Sequence, residues 1–302
     1  MSDLAFSPES RPLGKSGLTV SPLAWGMWRF RGDDVAAARK RVEAALDAGI
    51  TLFDTADVYG PDNGEPFGAA EVLLGRVFAE APELREQMTL ATKGGIVIGT
   101  PYDSSAPYIE AAIDASLRRL GVEQIDLWQI HRPDILTHPH EIARAFETAH
   151  EKGKVRVFGV SNYTPSQAAM LQHFMDRPLV SHQPEFSPLT LAPLTNGLMD
   201  QAIANDMAVL AWSPLGGGRI AAPLTQAEHA VAMLLDAKAQ DYGVSRTAAA
   251  YSWIMAHPAR PIPIVGSQQP ERIREAAGAL TPRWTRAEWY AVLQASMGES
   301  LP

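Results

Sequence analysis

The chain has 302 residues, 46% hydrophobic and 20% charged, an ordinary globular composition with enough length to bury a sizeable core. Lysine and arginine total 26 against 34 aspartates and glutamates; this net charge of −8 argues against a nucleic-acid surface but not against an anionic cofactor, whose phosphates need only a few N–H groups and one or two cations. The absence of cysteine excludes disulfides, thiol nucleophiles and cysteine-bound metals and fits a reducing compartment. With no secretory leader and no apolar run of ~18 residues, a cytoplasmic protein that spans no membrane is expected.

In chain order, residues 1–10 read as a loose tail and 11–20 as a hairpin turning at Gly14-Lys15-Ser16-Gly17. Leu23–Gly26 is a first strand. Asp33 or Asp34 caps a helix whose Val35, Val42 and Leu46 share one face, and Gly49 ends it. Ile50–Phe53 is a second strand, followed by a helix near Ala69–Ala79. Met88–Thr92 is a third strand, with Lys93-Gly94-Gly95 past its end. Ser104 or Ser105 caps a helix with Ile109, Ile113, Leu117 and Leu120 inward and Gly121 as its stop. Ile125–Ile130 is a fourth strand, His140–Glu151 a helix, and Val155–Val160 a fifth strand.

Pro165–Phe174 reads as helix, Leu179–Gln183 as strand, Pro193–Asn205 as helix and Ala208–Trp212 as strand. Helices at Gln226–Tyr242 and Arg246–Ala256 precede the last strand, Ile262–Val265. A helix near Pro270–Ala277 and a final amphipathic one at Arg286–Met297 follow. Strands alternating with helices on this scale mean parallel strands with helical crossovers. The expected fold is therefore α/β: one (β/α)8 TIM barrel domain over 1–302, with a short N-terminal β-hairpin and an extra C-terminal helix. An open doubly wound sheet is the competing fold, disfavoured because no G-x-G-x-x-G follows the first strand.

A barrel gathers strand-end residues around one mouth. Here those are Asp54 and Tyr59, Lys93, His131, Ser161 with Asn162, and Gln183. A tyrosine has a reference pKa of about 10, too high for an efficient proton donor near neutrality, and a neighbouring ammonium lowers it. Lys93 held by Asp54 would supply that ammonium. His131 would donate to a carbonyl oxygen or orient it, and Tyr59 would protonate it. This suits carbonyl reduction, whose hydride has to come from a cofactor. His138 and His140 do not read as a metal site, because Pro139 breaks helical spacing and no third ligand is near.

These segments resemble the aldo-keto reductases along nearly the whole chain. AALDAGITLFDTADVYG is similar to that family's first signature, Thr92-Lys93 to its strand-three lysine, LWQIHRPD to its strand-four histidine segment and VFGVSNY to its strand-five segment. The resemblance implies that Asp54, Tyr59, Lys93 and His131 are catalytic and that a nicotinamide cofactor lies across the mouth, with NADP(H) the first choice and NAD(H) the alternative. It assigns the carboxamide to Ser161, Asn162 and Gln183, ring stacking to Trp212, and the pyrophosphate to Ser213, Pro214, Leu215, Gly216, Gly218 and Arg219. Gly26 and Met27 join the cofactor track. Gly266, Ser267, Arg272 and Glu275 form the adenosine end. Gln268 and Gln269 there are uncharged, and Ala276 stands where the family often has an asparagine, so that end is expected to grip less tightly.

A small carbonyl substrate would meet Trp28, Tyr59, His131 and Arg132, with Met27 and Trp128 or its neighbours lining the mouth. Two other readings use the same residues: a Schiff-base lyase or aldolase on Lys93, and a nucleotide-binding regulatory subunit without turnover.

Overall fold

The computed structural model describes residues 3–302; of the expected tail, residues 1–2 fall outside the described residues. Eight parallel strands close into a barrel: β3 (Ala24–Gly26), β4 (Leu52–Asp54), β5 (Thr89–Gly94), β6 (Ile125–Ile130), β7 (Val155–Ser161), β8 (Leu179–Gln183), β9 (Ala208–Ala211) and β10 (Ile262–Val265), the last pairing back to β3. Around it lie α1 (Val35–Asp47), α2 (Ala69–Glu80), α3 (Ala106–Leu120), α4 (Pro139–Glu151), α5 (Pro165–His173), α6 (Leu198–Asn205), α7 (Gln226–Tyr242), α8 (Arg246–Met255), α9 (Pro270–Glu275) and α10 (Arg286–Met297). Among the described residues no helix is long and apolar enough to cross a membrane.

Local chemistry sets most helix starts. Asp34 accepts from Ala37 N at 2.9 Å and caps α1, while Thr164, Thr225 and Thr285 form capping boxes with Gln167, Glu228 and Glu288 at α5, α7 and α10. Ser105 occupies the cap position of α3 without a side-chain bond. The carboxylate of Glu141 serves that end instead, accepting from Ala106 N at 2.9 Å.

Two apolar layers result. Inward-facing Ala24, Leu52, Ala91, Leu127, Leu210, Ile262 and Ile264 fill the lower barrel, and the antiparallel hairpin of β1 (Arg11–Pro12) and β2 (Thr19–Val20) adds Leu13, Leu18 and Val20 to that cluster. The hairpin lies against the N-terminal end of β8: a Cβ on Gly14 would stand 2.3 Å from the carbonyl oxygen of Val180. The larger cluster packs the outer strand faces, including Trp25, Phe53, Trp128 and Phe158, against the helices. With the N-terminal end plugged, the C-terminal strand ends remain for chemistry.

Three expectations need correction. Residues 3–6 are pinned rather than loose: Leu4 N donates to Trp284 O at 2.8 Å, Asp3 bridges to Thr285, and the Arg283 guanidinium lies 4.4 Å over the Phe6 ring. The helix expected over Pro193–Asn205 is a 3-10 turn, Ala192–Leu194, followed by α6; Gly197 at φ 84° and the Asn196 side chain, which accepts from Leu198 N, break it. The third strand runs on through Gly94, so Lys93 lies inside the barrel wall and not past its end.

Candidate active site

Asp54 ends β4, Lys93 lies one residue from the end of β5, and the two strands pair directly. The Lys93 side chain is fully buried, and its Nζ donates to Asp54 Oδ2 at 2.6 Å, Thr55 O at 2.8 Å and Tyr59 OH at 3.2 Å. An ammonium has three N–H groups, so each has an acceptor. Burial alone would lower the pKa of Lys93; the Asp54 carboxylate and Tyr59 outweigh it and hold the lysine above its ordinary value. Tyr59 differs from the sequence-based expectation. Burial pushes its phenol above the usual value, the Lys93 charge pulling it down only in part, with Asp54 adding to the rise. The phenol therefore keeps its proton throughout the neutral range, and the ammonium stands beside the oxygen that would lose it.

His131 follows β6 and its ring meets that of Tyr59 edge-on, centroids 5.8 Å apart. Burial and the Lys93 and Arg132 charges push its pKa well below the ordinary histidine value, so the imidazole is neutral. Its Nδ1 is buried and makes no hydrogen bond among the described residues, so no carboxylate holds the ring charged. Its backbone is fixed on both sides: N donates to Gly94 O at 2.8 Å and O accepts from Asn162 Nδ2 at 3.1 Å.

The expected carboxamide group forms one bonded cluster. Ser161 Oγ donates to Gln183 O at 2.9 Å and accepts from Asn162 Nδ2 at 2.9 Å. Asn162, at φ 59°, accepts from Trp212 Nε1 at 3.0 Å. The half-buried Trp212 indole is thus braced, with the Arg132 guanidinium 5.7 Å over its ring. Gln183 Nε2 donates to Asp54 Oδ1 at 3.0 Å, which ties this cluster to the Lys93 pair.

In the segment Ser213–Arg219, a short turn at Gly216–Gly218 exposes Gly217 and Gly218, where an added Cβ would meet open space. Arg219, expected to add charge there, is turned onto Gly216 O at 2.8 Å and Glu228 Oε1 at 3.3 Å. Pro214 is buried; Ser213 and Leu215 are half-buried. After β10, Gly266 is exposed, Ser267 O accepts from Trp25 Nε1 at 2.9 Å, and Arg272 and Glu275 are exposed on α9.

Gly26 ends β3, where a Cβ would press Ile264 at 2.6 Å. Trp28 is 45% exposed and bonded through Nε1 to Asp62 Oδ2 at 3.2 Å. Two expected mouth residues are not there. The Met27 side chain is fully buried in the outer core, and Trp128 is equally buried, packed edge-on against Phe146. The strand position of Trp128 turns it toward the helices, and Met27, just past β3, packs into the same outer cluster.

No group of three or more His, Asp or Glu is placed to hold a metal among the described residues. A groove of about 540 Å3 lined by Leu4, Leu191, Trp289, Leu293 and Met297 lies against α10 and shares no residue with the cluster above.

Residues 22–295 match the sequence profile of the aldo/keto reductase family. The chain belongs to that family. It is 58% identical to a 6-dehydroglucose reductase of Novosphingobium aromaticivorans, covering 100% of both chains. It is 35% identical to a 6-dehydroglucose reductase of Agrobacterium fabrum, over 94% of this chain and 97% of the relative. It is also 35% identical to the oxidoreductase YdhF of Escherichia coli, over 96% of this chain and 98% of the relative. As an aldo/keto reductase the protein is an NAD(P)H-dependent oxidoreductase, which sets aside the aldolase and the non-catalytic readings.

In this aldo/keto reductase some buried polar groups escaped the sequence reading. Gln129 on β6 donates to Asp54 Oδ1 at 3.4 Å and accepts from Ser181 Oγ at 3.2 Å. Asp57, two residues before Tyr59, is buried near Glu71. The available signal was a glutamine in the otherwise apolar end of IDLWQI and an aspartate in the midst of a buried loop.

Proposed function

We propose that the protein reduces an aldehyde to an alcohol with NADPH, that Tyr59 is the proton donor, and that the aldehyde is a sugar of the 6-dehydroglucose kind. The observation that carries the chemistry is the Tyr59 hydroxyl 3.2 Å from a buried ammonium that is itself 2.6 Å from a carboxylate. Full-length 58% identity to a 6-dehydroglucose reductase supports the substrate.

The residues present fit a nicotinamide dinucleotide. Open Cβ space at Gly217 and Gly266 lets backbone N–H groups approach phosphate, while the Gly218 N–H is spent on Leu215 O within the turn. Gln183 gives an N–H to Asp54, which leaves its Oε1 for a carboxamide amine. The braced Trp212 indole offers a flat face, and Arg272 is exposed at the adenosine end, in keeping with a 2′-phosphate. The cofactor, when bound, supplies the hydride. Everything else falls to the chain. Neutral His131 orients the carbonyl oxygen, and Tyr59 gives its proton to that oxygen as negative charge grows there. Lys93 stabilises the phenolate left behind, while Asp54 keeps Lys93 charged and in place.

Tyr59→Phe removes the proton and little else. Turnover of 6-dehydroglucose, followed as loss of NADPH absorbance, is expected to fall about 10²- to 10⁴-fold while the NADPH dissociation constant is unchanged. Undiminished turnover by Tyr59→Phe would remove Tyr59 from this role, and a wild type inert toward a panel of aldehydes with NADPH would remove the reading itself.

A further inference from the structure

Barrel interiors are filled by layers of bulky aliphatic side chains. The lower layers here obey that rule, but the layer under the mouth does not: Asp54, Lys93, Gln129, Ser161, Ser181 and Gln183 are all polar and all buried. Most of these are accounted for by the proposed proton donor or by the cofactor seat. Gln129 and Ser181 are not. A buried amide is costly unless both its ends are partnered, and Gln129 has both partners: Ser181 Oγ donates to its Oε1 at 3.2 Å, and its Nε2 donates to Asp54 Oδ1 at 3.4 Å.

The neighbouring strand makes room for this arrangement. Gly159 lies beside both groups; a Cβ there would stand 2.0 Å from Ser181 Oγ and 3.2 Å from Gln129 Cγ. The network is therefore built into the barrel wall across β6, β7 and β8. Its output is the orientation of one carboxylate. Asp54 Oδ2 receives Lys93 at 2.6 Å, while Oδ1 receives two amides, Gln183 at 3.0 Å and Gln129 at 3.4 Å. Three donors from three strands fix the plane of the carboxylate, and that plane fixes where Lys93 meets Tyr59.

We propose that Gln129 is a positioning residue for the reduction: anchored by Ser181 in the space left by Gly159, it holds the Asp54 carboxylate in the orientation that presents Lys93 to Tyr59. The role rests on the reading of Tyr59 and Lys93 as the proton donor and its support. Gln183 stands at the cofactor seat and shares its amide between two duties. Gln129 faces only the interior, so it is the donor that stays on Asp54 whatever occupies the mouth.

The test uses the full-length enzyme as wild type, Gln129→Leu and Gln129→Glu. Losing one hydrogen bond to a carboxylate should lower kcat of Gln129→Leu about tenfold, with KM for NADPH and for the aldehyde unchanged. Glutamate has the same length as glutamine. Protonated, it still donates to Asp54; ionised, it opposes Asp54 with like charge. The kcat of Gln129→Glu should therefore fall as pH rises, along a limb the wild type lacks, which a purely structural role would not produce.

The same contact is read without cofactor: the melting temperature of Gln129→Glu apoprotein should match the wild type at low pH and drop below it progressively as pH rises. A Gln129→Leu kcat within twofold of wild type, or a Gln129→Glu pH profile that superimposes on wild type, overturns the proposal; if Gln129→Leu does not fold, the glutamate profile decides alone. A wild type without turnover overturns the reading of the site and this role with it, whereas normal turnover with an unchanged glutamate profile overturns this role alone.

Discussion

Asp57 shows how strongly one residue can report on the packing around the site. It lies two positions before Tyr59, its backbone N donates to Lys93 O at 2.9 Å, and its side chain is 1% exposed. Burial, reinforced by the nearby Glu71 and opposed by Arg119, pushes its carboxyl up to about 8. Such a group binds its proton in the fold and gives it up on unfolding above ~3.9. Its contribution is fully present below that value and is lost as pH rises through about 8. An asparagine side chain carries no such proton. Relative to Asp57→Asn, the wild type should therefore lose stability at up to ~1.4 kcal/mol per pH unit over this window, a few kcal/mol in all. Urea unfolding of both proteins at a mildly acidic and a mildly alkaline pH measures it. Parallel curves would mean that Asp57 ionises freely in the fold.

At the scale of elements, the loop from β4 to α2 carries Tyr59 and is held by its own backbone. Tyr59 N donates to Ala56 O at 3.2 Å, Ala70 N to Tyr59 O at 3.2 Å, and both Asn63 N and Glu65 N to Gly60 O. Gly60 is where the loop folds back on itself: a Cβ there would stand 1.9 Å from Pro66 O, a backbone atom that cannot yield without moving the loop. Gly60→Ala is expected to lower kcat about 10²-fold, the usual consequence of displacing a reacting group by ~1 Å, with far-ultraviolet circular dichroism unchanged. Wild-type kcat in Gly60→Ala would show that the loop has slack.

The order of the strands and most of their residues were legible because they rest on local patterns: apolar runs, caps and glycine stops within a few positions. The strand-end residues were legible for the same reason. What the sequence did not reveal depends on partners far along the chain. Asn162 accepts from Trp212 some fifty positions on, and Gln129 meets Asp54 from another strand. The net rise at Tyr59 was likewise out of reach, because it is a balance between Lys93, which could be named, and burial, which could not.

The molecule as a whole is closed at its ends by α10. Residues 3–4 bond to residues 284–285, Trp284 Nε1 donates to Ser252 Oγ at 2.9 Å, and the nearly buried Lys238 ammonium donates to Glu288 at 2.6 Å. At the centre Trp253 and Trp289 stack at 4.6 Å and exchange bonds, each Nε1 donating to the other residue's carbonyl, at 3.1 and 3.0 Å. Two large rings are buried with both of their polar atoms satisfied, the condition under which tryptophan burial is most favourable. Trp289→Ala removes one ring, takes from the Trp253 carbonyl the Nε1 donor it accepts from, and opens a cavity beside the groove under α10. The expected cost is ~3–5 kcal/mol, measured by denaturant unfolding. None of the residues placed at the mouth belongs to α10 or contacts Trp289, so kcat/KM measured well below the unfolding midpoint should equal that of the wild type. A loss of stability below ~1 kcal/mol would mean that the outer helix merely covers the barrel. A matching drop in kcat/KM would mean instead that the closure at the chain ends reaches the strand ends through α8, and the barrel would then behave as one mechanical unit.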